Sequence, residues 1–199
     1  VSNNYQSLSE LPQTARIGTS SLRRECQIKQ KFPGFEVLPL RGNVNTRLAK
    51  LDAGEFDAII LAAAGLKRLG MEDRIAERIS TTISLPAIGQ GAIGIECRQD
   101  DAELNTLLAP LNDRVTRICV AAERAMNARL QGGCQVPIAG FAELQGNDLS
   151  MRGLVGSPDG QLILRAQQSG SAEQAELIGI RIADDLLADG AGRILSQLR

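Results

Sequence analysis

Two features of this 199-residue chain could do chemistry. One is Cys134, set in the run Gln131-Gly132-Gly133-Cys134-Gln135-Val136-Pro137. Two glycines should end the helix before it, and the proline bars another helix soon after, so the thiol is expected on an exposed turn. A thiolate there would be a nucleophile able to form a covalent bond with a substrate. The other feature is arginine. Of 22 basic residues only Lys29, Lys31, Lys50 and Lys67 are lysine. A guanidinium offers a rigid fork that pairs carboxylates or phosphates through two parallel bonds. Taken alone, Cys134 is equally well an ordinary loop cysteine, and each arginine an ordinary solvated side chain.

The chain contains no histidine, which excludes His-based triads, imidazole acid–base catalysis and His metal ligands. Proton transfer is left to carboxylates, Lys, Tyr, Cys or water, and no metal site is expected. Cys26, Cys97 and Cys119 show no paired short spacing with one another or with Cys134. All four are read as free thiols of a reducing, cytoplasmic setting. Cys26, Cys97 and Cys119 fall within apolar patterns and are expected to be small buried hydrophobes. Net charge is -1 and aromatics are 3% of residues, which argues against a nucleic-acid binder held by bulk charge or base stacking. No apolar run is long enough to cross a bilayer, and residues 1–5 have no signal-peptide pattern.

The elements that must position these groups follow a strand–helix alternation. Residues 15–18 are expected as a strand, with Thr19-Ser20-Ser21 opening a helix through about Lys31. Strand 35–40 leads through the turn Arg41-Gly42-Asn43, with Asn43 as N-cap, into a helix that ends at Gly54. Asp57–Ala62 is a nearly continuous apolar run, as a strand buried on both faces should be, and a short helix follows at 64–70. A polar helix is expected at 71–80, a Gly/Pro crossover at 83–91, a strand at 92–97 and a short helix at 101–111. Arg23 and Arg24, Arg41 and Arg47, and Arg68 each follow the end of a predicted parallel strand, the edge where open α/β sheets bind ligands. Arg23 and Arg24 also sit in a first helical turn, where cations oppose the helix dipole. Three arginine-bearing strand exits together predict a polyanionic ligand.

After a boundary near Asn112-Asp113 comes the clearest helix, 114–130. Its stripe is Val115, Ile118, Cys119, Ala122, Met126 and Leu130. Three antiparallel strands follow at about 138–145, 149–155 and 161–168. Then a helix from 172 to 188 turns Leu177, Ile178, Ile182 and Leu186 inward, and a helical tail covers 191–198. The expected fold is therefore α/β: a βαβ domain over 1–112, then a small α+β domain over 113–199.

The motifs resemble the porphobilinogen deaminase (hydroxymethylbilane synthase) family. They are Gly18-Thr-Ser-Ser-Leu-Arg-Arg24, Leu40-Arg-Gly-Asn-Val-Asn-Thr-Arg47, Asp57 through Arg68, Leu85-Pro-Ala-Ile-Gly-Gln-Gly91, Ala122-Glu-Arg-Ala-Met-Asn127 and Gly132-Gly-Cys-Gln-Val-Pro137. They run in order along nearly the whole chain. The resemblance implies that Cys134 carries a dipyrromethane cofactor through a thioether. That cofactor would prime condensation of four porphobilinogen molecules, with loss of ammonia, into hydroxymethylbilane. It further implies that Arg23, Arg24, Ser21 and Thr19 bind the cofactor, and that Arg41, Arg47 and Arg68 bind the acetate and propionate groups of the substrate and of the growing polypyrrole chain. A monomer and a periplasmic-binding-protein-like first domain are implied as well. Family members have more chain at the N-terminus, including the catalytic aspartate, so no residue here is assigned that role. The chain is expected to be a fragment, inactive alone, with 91–111 a return segment into the missing first domain. The alternative is a non-catalytic anion-binding module that leaves Cys134 idle.

Overall fold

The computed structural model describes residues 1–133 and 135–198. In its first half, β1 (Arg16–Gly18), α1 (Leu22–Lys31), β2 (Glu36–Leu38), α2 (Val44–Asp52), β3 (Ala58–Ile59) and α3 (Ala63–Arg68) alternate as expected. The three strands are parallel in the order β2-β1-β3, with Ile17 opposite both Val37 and Ala58. Side-chain alternation splits the core about this sheet. Ile17, Ala58 and Ile60 pack with Ile28 of α1 on one face. Ile59 packs with Leu48 and Leu51 of α2 and Leu66 of α3 on the other. Asn43 caps α2 by accepting from the Thr46 N–H at 2.9 Å. Gly54, at φ +77°, sits just past the C-cap Ala53 of that helix, as the left-handed stop requires.

The second half contains α4 (Ala102–Leu108), α5 (Arg114–Arg129), β4 (Ile138–Gln145), β5 (Asp148–Gly156), β6 (Ile163–Ser171), α6 (Ala175–Ala188) and α7 (Ala191–Ser196). The strands form an antiparallel sheet in the order β4-β5-β6. α5 and α6 cover one face of it, and Met126, Met151, Val155, Ile178, Ile182 and Leu186 fill the space between. The packing is close enough to require glycine. A Cβ on Gly179 of α6 would lie 2.0 Å from the Ala122 carbonyl oxygen of α5. The two helix backbones therefore approach through a residue without a side chain.

Several expectations are corrected. Residues 92–97 form no strand: they are unpaired, and Ile93 is 92% exposed. A strand needs a partner ladder, and no described strand lies beside this stretch. The 71–80 helix reduces to a 3-10 turn at Glu72–Arg74. The rest runs irregularly because its isoleucines serve different faces: Ile75 joins the α2/α3 cluster, while Ile79 and Ile83 join the α1 cluster. Val115 (47% exposed) and Leu177 (41%) drop out of the expected apolar stripes, being at the margins of their helices. Cys97 and Cys119 are only half-buried, whereas Cys26 is fully buried. The Cys97 strand did not form, and Cys119 lies at the edge of its stripe.

Two substitutions separate the close helix crossing from simple glycine flexibility. Gly179→Ala is expected to destabilise the protein by about 2–3 kcal/mol, because the helices must part to admit a methyl group. Gly192→Ala in α7, where the nearest atom to a new Cβ is 3.8 Å away, should stabilise by roughly 0.5 kcal/mol. Urea unfolding midpoints at constant slope check both.

Candidate functional site

The loops after the three parallel strands carry the arginines, and the structure brings three of them together. β1 ends at Gly18, where a Cβ would lie 2.9 Å from Ile59, so the chain turns close against the sheet. Thr19 follows, 3% exposed, with its Oγ1 accepting from the Ser21 N–H at 3.3 Å. Ser20 Oγ donates to the Leu40 carbonyl at 2.8 Å, which ties this loop to the loop after β2. Ser21 occupies the N-cap of α1, but its side chain caps nothing, contrary to the expected role. Its hydroxyl makes no bond to the helix it precedes.

Arg23 and Arg24 open α1. Arg24 Nη1 donates to the Ile60 carbonyl, just beyond β3, at 3.0 Å. Arg47 Nε donates to the Gly42 carbonyl at 2.8 Å. Burial, then the charges of Arg23 and Arg47, push the Arg24 guanidinium down to about 10. Burial also lowers Arg23. Arg24 thus lies within electrostatic reach of two like charges, Arg23 and Arg47, at a half-buried edge. Among the described residues, no carboxylate is bonded to any of them. The Arg23 Nε is buried and has no hydrogen-bond partner. A buried donor left unpaired beside a second buried guanidinium, that of Arg24, is costly in the free protein, and an anion would relieve both costs. Arg41 and Arg68 are exposed, Arg41 in the turn after β2 and Arg68 at the last residue of α3.

Cys134 lies outside the described residues, but its flanks are defined. α5 ends at the C-cap Leu130. The left-handed position after it is Gln131, at φ +53°, and not either glycine. Gly132 serves space instead: a Cβ there would meet Asn127 Oδ1 at 2.1 Å. The Gly132 N–H donates to the Asn127 carbonyl at 2.9 Å, and Asn127 Nδ2 donates back to the Gly132 carbonyl at 3.4 Å. Beyond the cysteine, Val136 and Pro137 are buried, and the Gly156 N–H donates to the Pro137 carbonyl at 3.1 Å. The loop is therefore anchored on both sides. Cys26 by contrast is buried, donates to the Arg23 carbonyl, and is pushed up to about 11 by desolvation, so it is no nucleophile.

Sequence reasoning missed two buried polar side chains, Gln27 and Glu123. A signal existed for Glu123. It falls between Cys119 and Met126 on the apolar side of α5, where a charge needs a reason.

The arginine cluster should respond to a simple polycarboxylate. Citrate at saturating concentration is expected to raise the melting temperature by several degrees, as binding to the native state alone must. Arg23→Ala should abolish that increment, while Arg129→Ala, on the exposed face of α5, should keep it. Differential scanning fluorimetry at fixed ionic strength makes the comparison.

Among the described residues no helix is long and apolar enough to cross a membrane. Comparison with known families gives two matches, in chain order. Residues 1–106 match the porphobilinogen deaminase, dipyromethane cofactor binding domain, and residues 117–188 match the porphobilinogen deaminase C-terminal domain. The family acts on porphobilinogen and serves porphyrin and heme biosynthesis. With its first match alone covering more than half its length, the chain belongs to the porphobilinogen deaminase family.

Proposed function

We propose that this chain is a fragment of the enzyme that condenses four porphobilinogen molecules into linear hydroxymethylbilane with loss of ammonia, and that it carries that enzyme's cofactor-bearing cysteine and arginine surface. The observation that supports it most directly is the unpartnered, buried Arg23 Nε inside a cluster of three guanidiniums. In this reading Cys134 holds dipyrromethane through a thioether. When bound, that group supplies the nucleophilic pyrrole carbon from which the chain grows. Arg23 and Arg24 hold its carboxylates, with Thr19 and Ser21 closing the loop beneath them. The free Ser21 hydroxyl is available to donate to a carboxylate. Arg47, and the exposed Arg41 and Arg68, receive the acetate and propionate groups of incoming units, each as a bidentate partner. Exposed guanidiniums suit a moving polyanion, because they can release one carboxylate as the next arrives.

The reading divides the chain into a binding unit, 1–112, and a cysteine-bearing unit, 113–199. The main apolar clusters support this division, with Leu85 and Ile88 of the first unit packing onto the second. The first unit would be one half of a periplasmic-binding-protein-like pair, with 91–111 the segment that returns toward the other half. The exposed Ile93, Ile95, Leu107 and Leu111 are consistent with such a role. A second reading keeps the arginines as an anion-binding surface and leaves Cys134 unused; it is supported by the cluster alone, which needs no thiol.

Intact-protein mass spectrometry separates the two. In a cell that makes tetrapyrroles, the wild-type chain is expected to gain the mass of two linked pyrrole units, and Cys134→Ser to lack it. An unmodified wild-type mass would favour the non-catalytic module.

A further inference from the structure

The three buried polar side chains among the described residues are Thr19, Gln27 and Glu123. Two of them hold one short stretch of backbone. Gln27, 3% exposed on α1, accepts from the Leu85 N–H at 2.7 Å and donates to the Leu85 carbonyl at 3.1 Å. A single amide thus satisfies both backbone groups of Leu85, as a neighbouring strand would. The same Nε2 reaches the Arg23 carbonyl at 2.9 Å. Glu123, 5% exposed on α5, accepts from the Gly89 N–H at 2.6 Å with one oxygen and from the Ala142 N–H at 3.0 Å with the other. Between these anchors the Gly140 N–H donates to the Pro86 carbonyl at 3.2 Å, and Leu85 packs on Ala139 and Leu154. Past Gly89 the hold ends, and residues 92–96 are exposed.

We propose that Gln27 and Glu123 are positioning residues that clamp residues 85–89 as a strap, and that the strap sets the arginine cluster on α1 against the cysteine-bearing loop at the end of α5. The proposal rests on the reading of Cys134 as the attachment point. The anchors lie on the two elements that matter. Gln27 is one turn from Arg23, and α5 runs from Glu123 directly into the Asn127–Gly132 bonds before Cys134. Choosing a carboxylate here is expensive. Desolvation pushes Glu123 upward, opposed only by its two backbone bonds. A carboxyl group offers two oxygens on one side chain, and here each accepts from a different backbone N–H.

The test compares the full chain with Glu123→Gln, Glu123→Leu and Gln27→Leu. Hydrogen exchange reads the clamp, and intact mass reads the fraction carrying two pyrrole units. Exchange at 85–89 and at Ala142 is expected to speed about tenfold or more in Glu123→Leu, and less in Glu123→Gln, which keeps one acceptor. Amides of Ile17, Ile59 and Met151 should stay within about twofold of wild type. The loaded fraction should fall in the same order. Uniform acceleration across the chain would mean a merely structural role and overturn the proposal. Faster strap exchange with unchanged loading would also overturn it. A wild-type chain without adduct overturns the reading of Cys134 and the positioning role with it, whereas equal loading of wild type and variants removes the positioning role alone.

Discussion

Burial of the Arg23 and Arg24 guanidiniums at the end of the parallel sheet, with Arg47 near Arg24, is the constraint that the first half must accommodate. Three guanidiniums at a half-buried edge, with Arg24 held down to about 10, would spread into solvent if free to do so. Arg24 and Arg47 are held by backbone. The Ile60 and Gly42 carbonyls each take an N–H from one of them, and both carbonyls lie where chains leave the sheet. The parallel arrangement makes this possible, because every strand exit reaches the same edge and brings loop carbonyls with it. The Arg23 Nε is thus left as a buried donor without a partner at this edge.

The second half solves a different problem, the delivery of a loop. α5 and α6 cross so closely that Gly179 must lack a side chain, and Met126 is pressed against Gly153 of the sheet. This dense packing fixes the axis of α5. The helix then ends in a left-handed glutamine and a glycine pressed against Asn127. A rigid helix ending in an anchored turn is a good support for a reactive group, since little freedom remains to be lost when it acts. The strap at 85–89 joins this support to the arginine edge through two buried polar side chains.

Much of this was legible in the chain itself. The alternation of strands and helices, the Asn43 cap, the α5 stripe and the three antiparallel strands follow from periodicity and turn chemistry, which are local. The motifs around Arg23, Arg47 and Cys134 pointed to the porphobilinogen deaminase family, and the family matches agree. What sequence alone misjudged was decided by neighbours distant along the chain. Residues 92–97 have strand composition, but strand structure needs a partner. Residues 71–80 have helical composition, but Ile75 and Ile79 are claimed by clusters on different faces of the sheet. Which arginines converge, and that the Arg23 Nε is left unpaired, depends on how far each loop folds back over the edge. Gln27 looks like a surface residue in a string of letters, and Glu123 shows only that it lies on the apolar side of α5. They become anchors because tertiary packing brings the backbone N–H groups of Leu85, Gly89 and Ala142 to them, two of the bonds fully buried.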